Sequence, residues 1–186
     1  GVGPGDPELL TLKAKRILDA ADVIAVPVKE KGEKSTALEI IRPVTELEGK
    51  EILEVVFRMA KDEGERRRCR EAAADQLAKL LDQGRNVAMI TLGDVAVYST
   101  YMYVNQYVAE RGYETELIPG IPSFCSGASA AGLPLMEGNE SLVIVPSVRE
   151  SEALERAIAD FDNVVVMKAG GSIGRIGELL DKYECP

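Results

Sequence analysis

Apolar positions along the chain follow two alternating patterns. Short apolar, β-rich runs stand at residues 23–28 (VIAVPV), 52–57 (ILEVVF), 86–92 (NVAMITL), 142–145 (LVIV) and 164–167 (VVVM). Runs of this kind mark strands buried on both faces. Between them, apolar residues recur every three or four positions, the period of an amphipathic helix. The clearest case follows Asp62. Ala73, Leu77, Leu80 and Leu81 share a face, Asp62 and Glu65 form a capping-box pattern, and Gly84 stands where a helix ends. The same reading predicts helices over 35–41 (capped by Ser35, stopped by Pro43), 101–111 (ended by Gly112), 123–131, 151–161 (capped by Ser151) and 173–182. A strand is expected at 115–118, before Pro119-Gly120 breaks the chain. Alternation of strand and helix predicts an α/β fold with mostly parallel pairing. The Pro-Gly break predicts two small α/β domains, 1–117 and 118–186, without internal repeats.

Composition narrows the chemistry. The 186 residues are 46 % hydrophobic and 28 % charged, as in globular chains. The formal charge of −9 argues against a nucleic-acid partner held by phosphate neutralisation. Histidine is absent, which removes Ser-His-Asp triads, Cys-His pairs, His-ligated zinc and any imidazole base. Cys69, Cys125 and Cys185 match no metal-ligand spacing, so no protein-bound metal is expected. Their scattered, odd count predicts reduced thiols and a cytoplasmic protein. No apolar run approaches the ~18 residues of a membrane span, so no membrane partner is expected either. The sequence opens at Gly1 inside a motif and stops just after a helical pattern, which reads as a chain truncated at both ends.

Parallel α/β sheets bind ligands at the carboxyl ends of their strands, so the loops there carry the information. Residues 1–10 read GVGPGDPELL. As Gly-x-Gly-x-Gly before a helix this suggests a dinucleotide phosphate loop. Against that, Pro4 removes an amide donor, and the next strand has no acidic residue at its tip, Glu30 being nearest. The competing reading is a glycine turn whose Asp6 caps a helix starting at Pro7. Residues 92–100 read LGDVAVYST, in which Asp94 can attract a cation, or Asp94 or Ser99 can cap the following helix. The small residues of 119–132 permit close approach of a helix or a ligand, and 167–171 (MKAGG) form a fourth turn.

GVGPGDPELLTLKA at 1–14, LGDVAVYSTY at 92–101 and PGIPSF at 119–124, in that order and spacing, resemble the tetrapyrrole methylase family over the whole chain. The runs YSTYMY (98–103), EVVFRMAKD (54–62) and PGIPSFCSGASAAGLPL are most similar to its precorrin-2 C20-methyltransferase branch. The resemblance implies two α/β domains with the active site in a trough between them, and a homodimer. It implies S-adenosyl-L-methionine as methyl donor, bound without a Rossmann fingerprint. Carried over by position, the cofactor residues are Pro4, then Gly93, Asp94 and Val97 with Ser99 and Thr100, then Ser123 and Phe124, then Met167, Lys168 and Ala169. Two departures stand out. Many members have Gly-Asp-Pro where this chain has Gly93-Asp94-Val95, and the segment that completes the adenosine site in relatives is absent. The implied activity is methyl transfer to carbon 20 of precorrin-2 or cobalt-precorrin-2, in cobalamin biosynthesis. The alternatives are another tetrapyrrole methylase, such as a uroporphyrinogen-III C-methyltransferase, or a dinucleotide-binding oxidoreductase.

That chemistry suits a chain without histidine. Displacement at a sulfonium methyl expels a neutral thioether and needs no acid, and the ring carbon is its own nucleophile. Positioning alone can supply ~7–11 kcal/mol. A base for the proton on the methylated carbon remains open, with Asp94 and Tyr98 as candidates. A polycarboxylate tetrapyrrole meets a chain of charge −9, so local cations are required. Arg58, Lys61, Arg66, Arg67, Arg68 and Arg70 are the dense basic stretch. Arg66 and Arg70, four apart, are the substrate-binding candidates. The competing reading is a solvated helix face balanced by Asp62, Glu63, Glu65 and Glu71. Tyr98, Tyr101 and Tyr103 suggest an aromatic wall or core packing, and Cys69 and Cys125 read as packing residues.

Overall fold

Val23–Val28 forms β1, and its alternating side chains organise the first half of the molecule. The computed structural model describes residues 1–57, 62–146 and 152–184. Arg58, Lys61, the Ser151 cap and Cys185 therefore lie outside the described residues. Contacts divide the chain into two units, Gly1–Ser123 and Phe124–Pro186.

In the first unit, β1 pairs in parallel with Glu51–Val56 (β2) on one side and Val87–Met89 (β3) on the other. Ile24, Val26 and Val28 point to one face and join Leu18, Ala37, Ile40 and Ile41. Those four come from Leu12–Ala20 (α1) and Thr36–Ile41 (α2). Ala25 points to the other face, with Val55, and meets Ala73, Ala74, Leu77, Val104 and Val108. These belong to Glu63–Leu81 (α3) and Tyr101–Glu110 (α4). The strand period of two thus sends one apolar run into two cores. Each fully buried Val or Ile there contributes roughly 1.5–3 kcal/mol, which is why β1 carries the most buried stretch of the sheet.

Local signals set the element ends. Asp62 accepts the Glu65 amide at 2.7 Å, and Gly84 adopts φ +74° after α3. The helix expected from Pro7 is instead a three-residue 3-10 turn, Pro7–Leu9. Asp6 does cap it, through the Glu8 amide at 2.9 Å. Thr11 then opens α1 by accepting the Ala14 amide at 3.2 Å, so two caps divide one predicted helix. Ser35 occupies its cap position but makes no side-chain cap bond. The strand expected at 115–118 is not formed. Glu114, Thr115, Glu116 and Ile118 line an apolar cavity of about 420 Å³, as do the residues of β3. Residues 115–118 pair with no described strand, and β3 is an edge strand among the described residues.

The second unit carries Leu142–Pro146 (β4) and Asn163–Met167 (β5), paired in parallel. The helix Ser123–Ala131 (α5) begins at the boundary between the units. Glu152–Asp160 (α6) and Ile173–Lys182 (α7) bury Leu154, Ala157 and Leu179. The Asp162 carboxylate accepts both the amide and the hydroxyl of Ser141 at 2.7 Å, which fixes the entries to β4 and β5. Cys69 and Cys125 are free, partly buried thiols. No described helix is long and apolar enough to cross a membrane.

Candidate functional site

Three loops of the first unit meet at the carboxyl end of β3. The Val2 amide donates to the Thr91 carbonyl at 2.9 Å. Gly3 and Gly93 exchange both backbone bonds, at 3.2 and 2.9 Å. Gly93 turns at φ +62°, a conformation that favours glycine. The Gly120 amide donates to Asp94 Oδ2 at 2.9 Å, which ties in the third loop. Contact here is too close for side chains. A Cβ at Gly120 would lie 2.2 Å from the Gly93 carbonyl oxygen, and one at Gly1 would lie 2.4 Å from it.

Asp94 is the staple of this junction. Its other oxygen accepts the Ala96 amide at 2.8 Å, an Asx turn within the second loop. Both carboxylate oxygens therefore hold backbone, and the Gly120 bond spans 26 residues of sequence. Ser99 is buried. Its hydroxyl meets the Thr91 hydroxyl at 3.1 Å and accepts the Tyr101 amide at 3.2 Å, so it caps α4 from one residue before Thr100. Burial pushes the Tyr101 phenol above the usual tyrosine range, and its hydroxyl donates to Asn105.

The remaining candidates take their places around these. Pro4 follows the Gly3–Gly93 pairing and is half-buried, as is Val97. Tyr98 is strained at φ +48° and its side chain is largely exposed, as is Leu92. A non-glycine residue in the left-handed region costs of order 1–3 kcal/mol and recurs at functional sites. Ser123 opens α5 at the end of the first unit. Phe124, Met167, Lys168 and Ala169 belong to the second unit. There Met167 ends β5, Lys168 is left-handed at φ +59°, and Ala169 opens the 3-10 turn Ala169–Gly171. None of the cofactor candidates lines the 420 Å³ cavity beside β3.

Arg66 and Arg70 share a face of α3, as their spacing requires, and both bind Glu63. The Arg70 guanidinium also lies 3.8 Å over the Tyr103 ring. Their hydrogen bonds hold the Glu63 carboxyl below its usual range, the Arg66 bond foremost. Arg67 pairs with Glu71. The sequence reading missed Thr91, the Gly120 amide and the Tyr103 ring as parts of these assemblies. The YSTYMY run, which holds Tyr103, and the PGIPSF loop, which holds Gly120, were the signals for two of them.

Comparisons with known proteins identify the family. The family model "Tetrapyrrole (Corrin/Porphyrin) Methylases" matches residues 1–185. A Methanocaldococcus jannaschii protein named probable cobalt-precorrin-2 C(20)-methyltransferase is 44 % identical over 168 residues, covering 90 % of this chain and 70 % of that protein. A Sinorhizobium precorrin-2 C(20)-methyltransferase is 34 % identical over 187 residues, covering 97 % of this chain and 76 % of that one. The crystal structure of a uroporphyrin-III C-methyl transferase from Thermus thermophilus, complexed with S-adenyl homocysteine, is similar in fold. It superposes with a TM-score of 0.66 at 25 % identity, over 98 % of this chain and 74 % of that one. The chain therefore belongs to the tetrapyrrole (corrin/porphyrin) methylase family.

Proposed function

We propose that the protein transfers a methyl group from S-adenosyl-L-methionine to carbon 20 of cobalt-precorrin-2 or precorrin-2, a step of cobalamin biosynthesis. The observation that carries this reading is the 44 % identity to a relative of that name across 90 % of the chain. The metal-free substrate names the relative at 34 % identity, so the cobalt form is the first substrate to test.

The residues at the loop junction suit an adenosyl sulfonium. Leu92 and Val97 offer apolar surface, the glycine turns bring backbone close, and Asp94 places a carboxylate nearby. When bound, the donor supplies an activated methyl, and the neutral thioether that leaves as the methyl is transferred needs no acid. The chain's own work is then positional. Asp94 holds the second loop against the third, and Ser99 fixes the start of α4. With both oxygens engaged by amides, Asp94 acts as a positioning residue, which leaves Tyr98 as the candidate base. The reading carries with it a homodimer in the cytoplasm, which light scattering and cell fractionation test.

The deciding experiment is anaerobic incubation with S-adenosyl-L-methionine and each of cobalt-precorrin-2, precorrin-2 and uroporphyrinogen III, read by product mass. One added methyl on a precorrin-2 form alone supports the proposal. Methylation of uroporphyrinogen III instead supports the other branch of the family and overturns the substrate.

A further inference from the structure

A second assembly stands at the same end of the sheet. Strands β1, β2 and β3 run parallel. Helix α3 follows β2 and α4 follows β3, so both helices start at the carboxyl end. Glu63 is the first residue of α3 and Tyr103 lies in the first turn of α4. Between them sit two guanidinium groups. Arg66 Nε donates to Glu63 Oε2 at 2.8 Å, and Arg70 Nη1 donates to Glu63 Oε1 at 3.0 Å. The Arg70 guanidinium carbon lies 3.8 Å from the centre of the Tyr103 ring, and the Arg70 side chain is only 15 % exposed.

One carboxylate is thus gripped by two arginines, one oxygen each, and an aromatic ring orients one of the two. This is the arrangement that recognises a carboxylate ligand. The start of α3 adds the favourable field of a helix N-terminus. Glu63, by contrast, is 65 % exposed, so water readily solvates its carboxylate on release. The built part of the cluster is the arginine–tyrosine cradle, and Glu63 is its replaceable occupant.

We propose that Glu63 is a built-in stand-in for a substrate carboxylate. It occupies the Arg66–Arg70 cradle in the free protein, and a carboxylate side chain of the tetrapyrrole displaces it. Arg70 is held ready by Tyr103. The exchange rests on the proposed function, because the substrate proposed there is a ring tetrapyrrole bearing several carboxylates. It also gives an acidic protein a local site for an anionic substrate, kept neutralised until the substrate arrives.

The test compares Glu63→Gln with the wild-type protein. Removing the internal competitor lowers KM for cobalt-precorrin-2 about two- to fivefold, the range for one exposed ion pair, with kcat unchanged. Glu63→Ala shifts KM in the same direction. Tyr103→Leu raises KM, and Tyr103→Phe, which keeps the ring face, restores it. A second arm needs no turnover. Binding of uroporphyrin, followed by its fluorescence, tightens in Glu63→Gln, whereas binding of its octamethyl ester does not change. An unchanged or higher KM in Glu63→Gln and Glu63→Ala, or equal tightening for acid and ester, overturns the proposal. If no precorrin-2 form is methylated, the proposed function fails on its own, and the uroporphyrin pair still decides whether the cradle exchanges carboxylates.

Discussion

Replacing Asp94 separates a structural staple from a catalytic base. Asp94→Ala removes the acceptor of two amides, those of Ala96 and Gly120. The Ala96 amide lies at an exposed residue and regains water. The Gly120 amide is partly buried, at a glycine packed against Gly1 and the Gly93 carbonyl. A hydrogen bond to a charged group contributes about 1.5–3 kcal/mol. In a chain of this size 1 kcal/mol corresponds to about 2–4 °C in Tm. Asp94→Ala is therefore expected to lower Tm by about 3–12 °C, read by circular dichroism. Asp94→Asn keeps one acceptor oxygen and falls between the two. Methyl transfer weakens through looser cofactor binding, and the pH profile of kcat keeps its shape in Asp94→Asn. A variant that melts with the wild type yet loses kcat by about a thousandfold would assign the carboxylate to chemistry and refute the staple.

Other outcomes follow from the same geometry. Gly120→Ala forces its Cβ against the Gly93 carbonyl oxygen, 2.2 Å away in the native packing. Such overpacking costs about 1–3 kcal/mol, and calorimetry should show weaker binding of S-adenosylhomocysteine; unchanged affinity would contradict the loop junction as the cofactor site. Thr45 Oγ1 is buried without a hydrogen-bond partner among the described residues. Thr45→Val, of the same shape, is expected to leave Tm unchanged or raise it, and a clear drop would show a partner for the hydroxyl. Asp162 is held below the usual aspartate range, first by the Ser141 amide and then by its hydroxyl. Its stabilisation is complete above the unfolded-state value and is lost as pH falls through the lower folded value. Urea midpoints measured from pH 6 downward should fall less steeply in Ser141→Ala, and identical slopes would discount the interaction.

The fold was legible where local signals sufficed. β1 at Val23–Val28 and α7 at Ile173–Lys182 match the pattern reading to the residue, and Asp62 caps α3 as expected, whereas α3 ends at Leu81 with Asp82 as its C-cap, before the left-handed Gly84. Residues 115–118 misled because β-propensity is no substitute for a partner edge. Among the described residues no strand pairs with this segment. The helix after Asp6 misled because Thr11, a second capping residue five positions on, starts its own helix. The candidate site was legible as motif loops, but its bonds were not. Asp94 reaches Gly120 across 26 residues, and Arg70 meets Tyr103 on another helix. Such pairings depend on how the sheet stacks its loops, and no local periodicity encodes them.

The central claim is a methyl delivered to one particular ring carbon. S-adenosyl-L-methionine labelled with ¹³C in its methyl group, incubated anaerobically with the protein and cobalt-precorrin-2, tests it by NMR of the product. The account predicts a single labelled methyl, attached to carbon 20. A label on any other ring carbon, or an unlabelled tetrapyrrole recovered alongside intact donor, would contradict it.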